Sequence, residues 1–143
     1  MPPTNRRPVT VVVAAVIEEQ QRFLVTRRQP GGHLAGMWEF PGGKIDPDES
    51  HGAALARELR EELGVDARVG ELVYETTHAY PELTVALYFY RCRLLGEPRP
   101  ILGQEMRWVP RTELASLGFP AADAELIDRL VRPDGHHDAA GAD

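Results

Sequence analysis

Residues Gly43–Val65 read GKIDPDESHGAALARELREELGV, and this stretch organises the rest of the chain. From Ser50 to Leu63 alanine, leucine, arginine and glutamate dominate, residues that lose little freedom on entering a helix. Ser50 predicts the N-cap, with Asp46, Asp48 and Glu49 just ahead of the positive end of the helix dipole. Gly64 predicts a left-handed C-cap. At ~100° per residue, Leu55, Leu59 and Leu63 form one stripe, and Glu58, Glu61 and Glu62 fan out along its border. Glu58 and Glu62 stand one turn apart, ~6 Å along the axis. Three carboxylates are thus held beside a buried face on a rigid element.

Like charges one turn apart destabilise a helix, and Arg57 and Arg60 soften this cluster only in part. On a generic helix such a run is a solvated face. Clustered carboxylate oxygens are also what Mg²⁺ or Mn²⁺ requires, being hard and anionic. Such an ion bridges phosphate oxygens and helps ionise a water, and a remaining carboxylate can accept that water's proton. Arg57 suits the orientation of a glutamate through paired hydrogen bonds.

The spacing decides between the two. It runs Gly43, five residues, Glu49, seven residues, Arg57-Glu58, an apolar residue, any residue, Glu61-Glu62, any residue, Gly64 and an apolar residue. At average residue frequencies such a match arises by chance on the order of 10⁻⁹ per start. The arrangement is the Nudix box, and the sequence resembles the Nudix hydrolases. The flanks VTRR…WEFPGGK and GQEMRWV…FPAADAELIDRL look like the MutT branch, so the likeness runs from Val9 to Leu130.

The resemblance implies an α/β fold: an α/β/α sandwich around a mixed β-sheet, with the box as a loop–helix–loop. It implies hydrolysis of a nucleoside diphosphate linked to a further group, with Mg²⁺ or Mn²⁺. In the MutT branch the substrates are nucleoside triphosphates, notably 8-oxo-dGTP, cut to the monophosphate and pyrophosphate. By its motif Glu58, Glu61 and Glu62 bind metal, with the carbonyl of Gly42. Glu49 assists the metal or the water, Arg57 holds the glutamates, and Glu58 is taken as the general base. Glu105 is a further loop ligand. Arg28 contacts nucleotide and Phe40 lines the base pocket. Asp123 falls where members specific for oxidised guanine carry an asparagine. An ionised aspartate only accepts hydrogen bonds, whereas an amide also donates. Related pyrimidine-triphosphate pyrophosphatases have a similar Pro-Ala-Asp stretch, so cytidine triphosphates, ADP-ribose or a dinucleotide are alternative substrates. A non-catalytic nucleotide sensor would be marked by lost box glutamates, and none is lost.

Working outward, Val9–Ile17 is a β-branched, nearly continuous apolar run and predicts a buried strand. Glu18–Gln21 predicts a polar turn and Arg22–Arg28 a second strand. Pro41-Gly42-Gly43 predicts another turn. Residues 67–77 and 83–95 predict strands joined by the turn HAYPE, Met106–Val109 a short strand, Arg111–Ser116 a helical turn and Ala121–Leu130 a helix. His33 and His78 are placed in loops bordering the nucleotide. His136-His137 are placed in a solvated tail. Trp38, Tyr88 and Trp108 are expected to pack in or beside the core, and Cys92 to be a buried apolar residue. Residues 1–8 read as a loose terminus, 9–131 as one domain and 132–143 as a disordered tail.

Composition limits the partners. The 143 residues are 43 % hydrophobic and 27 % charged, ordinary for a globular protein. One cysteine excludes a disulfide scaffold. No apolar run approaches the ~18–20 residues that span a bilayer, and the N-terminus shows no signal peptide. A net charge of −6 argues against nucleic acid polymers or anionic membranes as partners. A small anionic ligand is compatible where a metal ion reverses the local field. The expectation is a cytoplasmic enzyme, a monomer or a homodimer.

Overall fold

The structure, a computed structural model, describes residues 8–32 and 34–132. The expectations for residues 1–7, His33 and the tail with His136-His137 lie outside the described residues.

Among the described residues the strands form two four-stranded sheets. The first runs β5 (Gly42–Lys44), β1 (Val9–Val16), β7 (Thr84–Leu94), β6 (Ala67–Ala79), with β1 parallel to β7 and the other pairs antiparallel. It is therefore mixed. The second places β3 (Arg22–Arg27) against β2 (Glu18–Glu19), β4 (Trp38–Glu39) and β8 (Met106–Pro110), all antiparallel.

A strand covered on both faces reads as continuous apolar sequence, and β1 is such a strand. Val13 and Ala15 pack with Ala54, Leu55, Leu59 and Leu63 of helix α1 (His51–Leu63). Ala14 and Val16 pack on the other side with Leu126 and Ile127 of helix α2 (Ala124–Val131). β3 divides in the same way, with Leu24 toward α1 and Phe23 and Val25 toward α2. Helices thus flank the sheet layer on both faces, the expected α/β/α arrangement. Trp38 is in the α2-side core, Tyr88 and Trp108 pack against the α1-side core, and Cys92 is buried.

The local signals for α1 hold. The Ser50 hydroxyl accepts from the Ala53 N–H at 3.1 Å, and Gly64 is left-handed (φ 61°, ψ 31°), its N–H donating to the Arg60 carbonyl. The predicted leucine stripe is buried, each side chain worth roughly 1.5–3 kcal/mol.

Four expectations are corrected. Glu18–Glu19 is strand β2, and only Gln20-Gln21 make the turn to β3, both at positive φ (52° and 64°). The expected turn at Gly42-Gly43 is strand β5, lying against β1 so closely that a Cβ on Gly42 would stand 2.0 Å from the Val13 carbonyl oxygen. His78 is inside β6, paired with Val85, because the β6–β7 ladder continues to Ala79 and Thr84. The helix expected from Ala121 opens as a 3₁₀ turn over Ala121–Asp123, closed by the Asp123 N–H on the Pro120 carbonyl, and becomes α only at Ala124.

Candidate active site

The N-terminal half of the site is built on Arg57. Its position on α1 faces the Asp46–Glu49 turn, where the Glu49 carboxylate also accepts from the Asp46 N–H at 2.8 Å. Arg57 Nε and Nη2 donate to the two Glu49 oxygens at 2.7 and 2.9 Å. Nη1 donates to Glu58 at 3.2 Å and to Glu61 at 3.3 Å, and Nη2 reaches the Lys44 carbonyl. The guanidinium holds the Glu49 carboxyl down at about 2. These contacts in turn stabilise the arginine's charge and raise its pKa. One cation therefore pairs with four carboxylates, those of Asp46, Glu49, Glu58 and Glu61, spread over sequence positions 46 to 61.

Glu58 and Glu62 form the second half. Glu58 is nearly buried, with 14 % of its side chain exposed, whereas Glu61 is 58 % exposed. Burial, then the hydrogen bond and charge of Glu58, push Glu62 far above the usual carboxylate range, opposed by the Gly42 N–H. Two carboxylates side by side in a poorly solvated site repel each other strongly when both are charged. A cation would relieve this repulsion. The room is there because position 43 has no side chain: a Cβ would meet the Glu58 carboxylate at 2.5 Å. An all-oxygen donor set of Glu58 and Glu62 fits a hard divalent ion. Among the described residues no three Asp, Glu, His or Cys side chains already converge as a cage, and Glu61 is turned toward Arg57.

From Glu62 a cavity of about 520 Å³ extends between the sheets, within the range of small-molecule sites. Gly42, Gly43 and Lys44 border it beside Glu62, and Arg28, Glu39, Phe40, Tyr80 and Asp123 are also on its wall. Phe40 is buried, edge-on to Phe89 at 5.9 Å. Arg28 donates to Glu39 at 2.6 Å. Burial, then the charge of Glu39, raise Asp123 to about 7 against the pull of Arg28. Burial also raises Glu39, and burial with the Asp123 charge raises Tyr80. The described residues bury three polar side chains, Thr26, Gln104 and Asp123, and all three line this cavity.

The geometry thus brings Glu49, Arg57, Glu58 and Glu61 into one network. It brings Gly42, Glu62, Arg28, Phe40 and Asp123 onto one cavity. Glu105 is on neither: its carboxylate pairs with Arg27 at 3.3 Å, half exposed. His78 is not on the cavity wall and packs its ring on Tyr80 at 4.5 Å. Glu39, Tyr80 and Gln104 were not anticipated. For Glu39 the signal was a lone acid between two aromatics in Trp-Glu-Phe. For Gln104 there was none.

A model of the NUDIX domain matches residues 12–129. The chain belongs to the NUDIX family. It is similar to the 8-oxo-dGTP diphosphatase of Haemophilus influenzae, with 40 % identity over 111 residues, 77 % of this chain and 82 % of that one. A shorter match, 56 % identity over 52 residues (36 % of this chain and 38 % of the relative), links it to the CTP pyrophosphohydrolase of Escherichia coli. Among solved structures the Escherichia coli ORF135 protein superposes with a TM-score of 0.78 at 34 % identity, covering 92 % of this chain and 99 % of that one. As a NUDIX hydrolase the chain is an enzyme of a family that generally needs a divalent metal. No helix among the described residues is long and apolar enough to cross a membrane.

Proposed function

We propose that this NUDIX hydrolase cleaves nucleoside triphosphates to the monophosphate and pyrophosphate, with 8-oxo-dGTP as the preferred substrate. The observation that carries the proposal is one cavity with Glu62, which has Glu58 as its neighbour, at the Gly42–Lys44 wall and an apolar and polar wall of Phe40, Arg28 and Asp123. The first receives phosphate; the second receives the base. Glu58 and Glu62 would hold Mg²⁺ or Mn²⁺, with Gly42 and Glu61 as further candidate ligands; Glu105, which pairs with Arg27 and is not on the cavity wall, is not among them. A cation held there would neutralise charge on the phosphate oxygens and lower the pKa of a water. Glu58 takes the proton of the water that attacks phosphorus, and the phosphoanhydride oxygen leaves with the pyrophosphate. Glu49 assists, and Arg57 holds both acids in place. Support for the substrate comes from the likeness to 8-oxo-dGTP diphosphatases. Residues 9–131 serve as one catalytic domain, acting on free nucleotides rather than nucleic acid or membrane.

Asp123 favours a second reading. As a carboxylate it suits the amino group of cytosine, and the match to a CTP pyrophosphohydrolase agrees. The test is pyrophosphate release with Mg²⁺ from 8-oxo-dGTP, dGTP, CTP, dCTP and ADP-ribose, with products identified. Highest kcat/KM on 8-oxo-dGTP is expected. Highest kcat/KM on CTP establishes the second reading, and a feeble, flat profile or a preference for ADP-ribose refutes both.

A further inference from the structure

Gln104 is buried on the cavity wall, and the chemistry above gives it no task. Its side chain spans two backbone groups. Nε2 donates to the Glu62 carbonyl at 3.0 Å, and Oε1 accepts from the Leu102 N–H at 2.9 Å. The Glu62 carbonyl lies in the last turn of α1, where the helix itself supplies no donor. The neighbouring loop supplies them instead: the Arg99 N–H donates to the Leu63 carbonyl at 2.8 Å and the Ile101 N–H to the Glu62 carbonyl at 3.1 Å. The Ile101 N–H is shared, since it also meets the Arg99 carbonyl at 2.8 Å. The bond from Gln104 is the side-chain tether between this loop and the turn that carries Glu62.

A helix end frays unless its carbonyls are held. Any rotation of this turn swings the Glu62 carboxylate relative to Gly42 and Glu58, both of which it contacts. We propose that Gln104 is a positioning residue: by tying the backbone of Glu62 to the 99–104 loop, it fixes where the Glu62 carboxylate stands on the cavity wall. The inference rests on the proposed role of Glu62 in holding the cation.

Gln104→Met keeps length and burial and removes both hydrogen bonds. Mn²⁺ binding to the whole protein, followed by electron paramagnetic resonance without nucleotide, should weaken about tenfold, the lower end of what loss of a ligand's supporting contact costs. The kcat should fall by a similar factor with the nucleotide KM little changed. Neither loss should recur when Gln104→Met is added to Glu62→Gln, because residues acting as a unit are not additive. Wild-type Mn²⁺ affinity and kcat in Gln104→Met, beside weakened Mn²⁺ binding in Glu62→Gln, overturn the positioning role alone. Wild-type Mn²⁺ binding in Glu62→Gln overturns the role of Glu62 and the inference with it. Should Gln104→Met not fold, Gln104→Glu keeps the acceptor for Leu102 and loses the donor to Glu62. Faster amide exchange in the last turn of α1 and lowered kcat are then expected, and unchanged exchange with unchanged kcat overturns the proposal.

Discussion

Arg57 grips Glu49 with two parallel hydrogen bonds, Nε to Oε2 at 2.7 Å and Nη2 to Oε1 at 2.9 Å, while its third nitrogen reaches Glu58 and Glu61. This fork geometry is available to a guanidinium and not to an ammonium. Arg57→Lys should therefore lower kcat roughly 10–100-fold with a much smaller change in KM, since misplaced catalytic groups cost rate rather than binding. The same contact makes a prediction about acid. Glu49 titrates at about 2 in the folded chain against an ordinary 4.5, so the unfolded state binds more protons in between. The stabilisation is in force above about 4.5 and is lost as the pH falls toward 2. The stability difference between wild type and Arg57→Met, measured by urea unfolding, should shrink across that interval. A difference that stays constant contradicts the pairing.

Adjacent glycines separate folding from catalysis. A Cβ at Gly42 meets backbone, 2.0 Å from the Val13 carbonyl oxygen, whereas the atoms nearest a Cβ at Gly43 belong to the end of the Glu58 side chain, at 2.5 Å. Backbone cannot yield cheaply, but a side chain can rotate. Gly42→Ala should lose about 2–3 kcal/mol of stability. Gly43→Ala should keep its unfolding midpoint within the range of a surface change, about 0.5 kcal/mol, yet lose on the order of 10²-fold in kcat as Glu58 is displaced. Chemical denaturation and steady-state kinetics on the two variants check both halves.

Asp123 gives a slope of the opposite sign. Burial and the charge of Glu39 raise it to about 7 from 3.8, so the folded chain holds the proton that the unfolded chain releases. Stability from this group is greatest below about 4 and falls by up to ~1.4 kcal/mol per pH unit up to about 7. Asp123→Asn has no proton to lose. Its stability relative to wild type should rise from about pH 4 to about pH 7 and level off above that. A difference independent of pH would show that Asp123 is ionised in the folded state at low pH as well.

The parts legible from sequence were those with local causes. Ser50, the leucine stripe and Gly64 specify α1 within one stretch of chain, and the apolar runs of β1, β3 and β7 announce strands covered on both faces. The box residues were found by their spacing together with its match to the Nudix motif. Strands β4 and β5 were not legible, because two or three residues become strand only through partners, Thr26 and Arg27 for β4 and Val12 to Ala14 for β5. The cavity wall was half legible for the same reason. Arg28, Phe40 and Asp123 came from resemblance, but Gln104 is buried only because the loop 99–104 folds back on the end of α1, and no pattern in the surrounding residues foretells that contact.

The turn between β2 and β3 offers a stabilising change remote from the chemistry. Gln20 and Gln21 both lie at positive φ, 52° and 64°, as the central pair of a two-residue hairpin that pairs Glu19 with Arg22. Two-residue hairpins of this type favour Asn-Gly, because glycine adopts a left-handed backbone without steric cost and asparagine tolerates it. A side chain such as glutamine costs roughly 1 kcal/mol or more there. The glycine also loosens the unfolded chain, which returns part of the gain. Gln20→Asn with Gln21→Gly should thus raise stability by about 0.5–2 kcal/mol, a shift of a few degrees in Tm. Both side chains are exposed and neither is on the cavity wall, so kcat and KM should not move. The Gln21 carbonyl accepts from the Arg111 N–H at 3.1 Å, a backbone bond that the substitution keeps. A fall in Tm would mean that the two glutamines do not form this turn in solution.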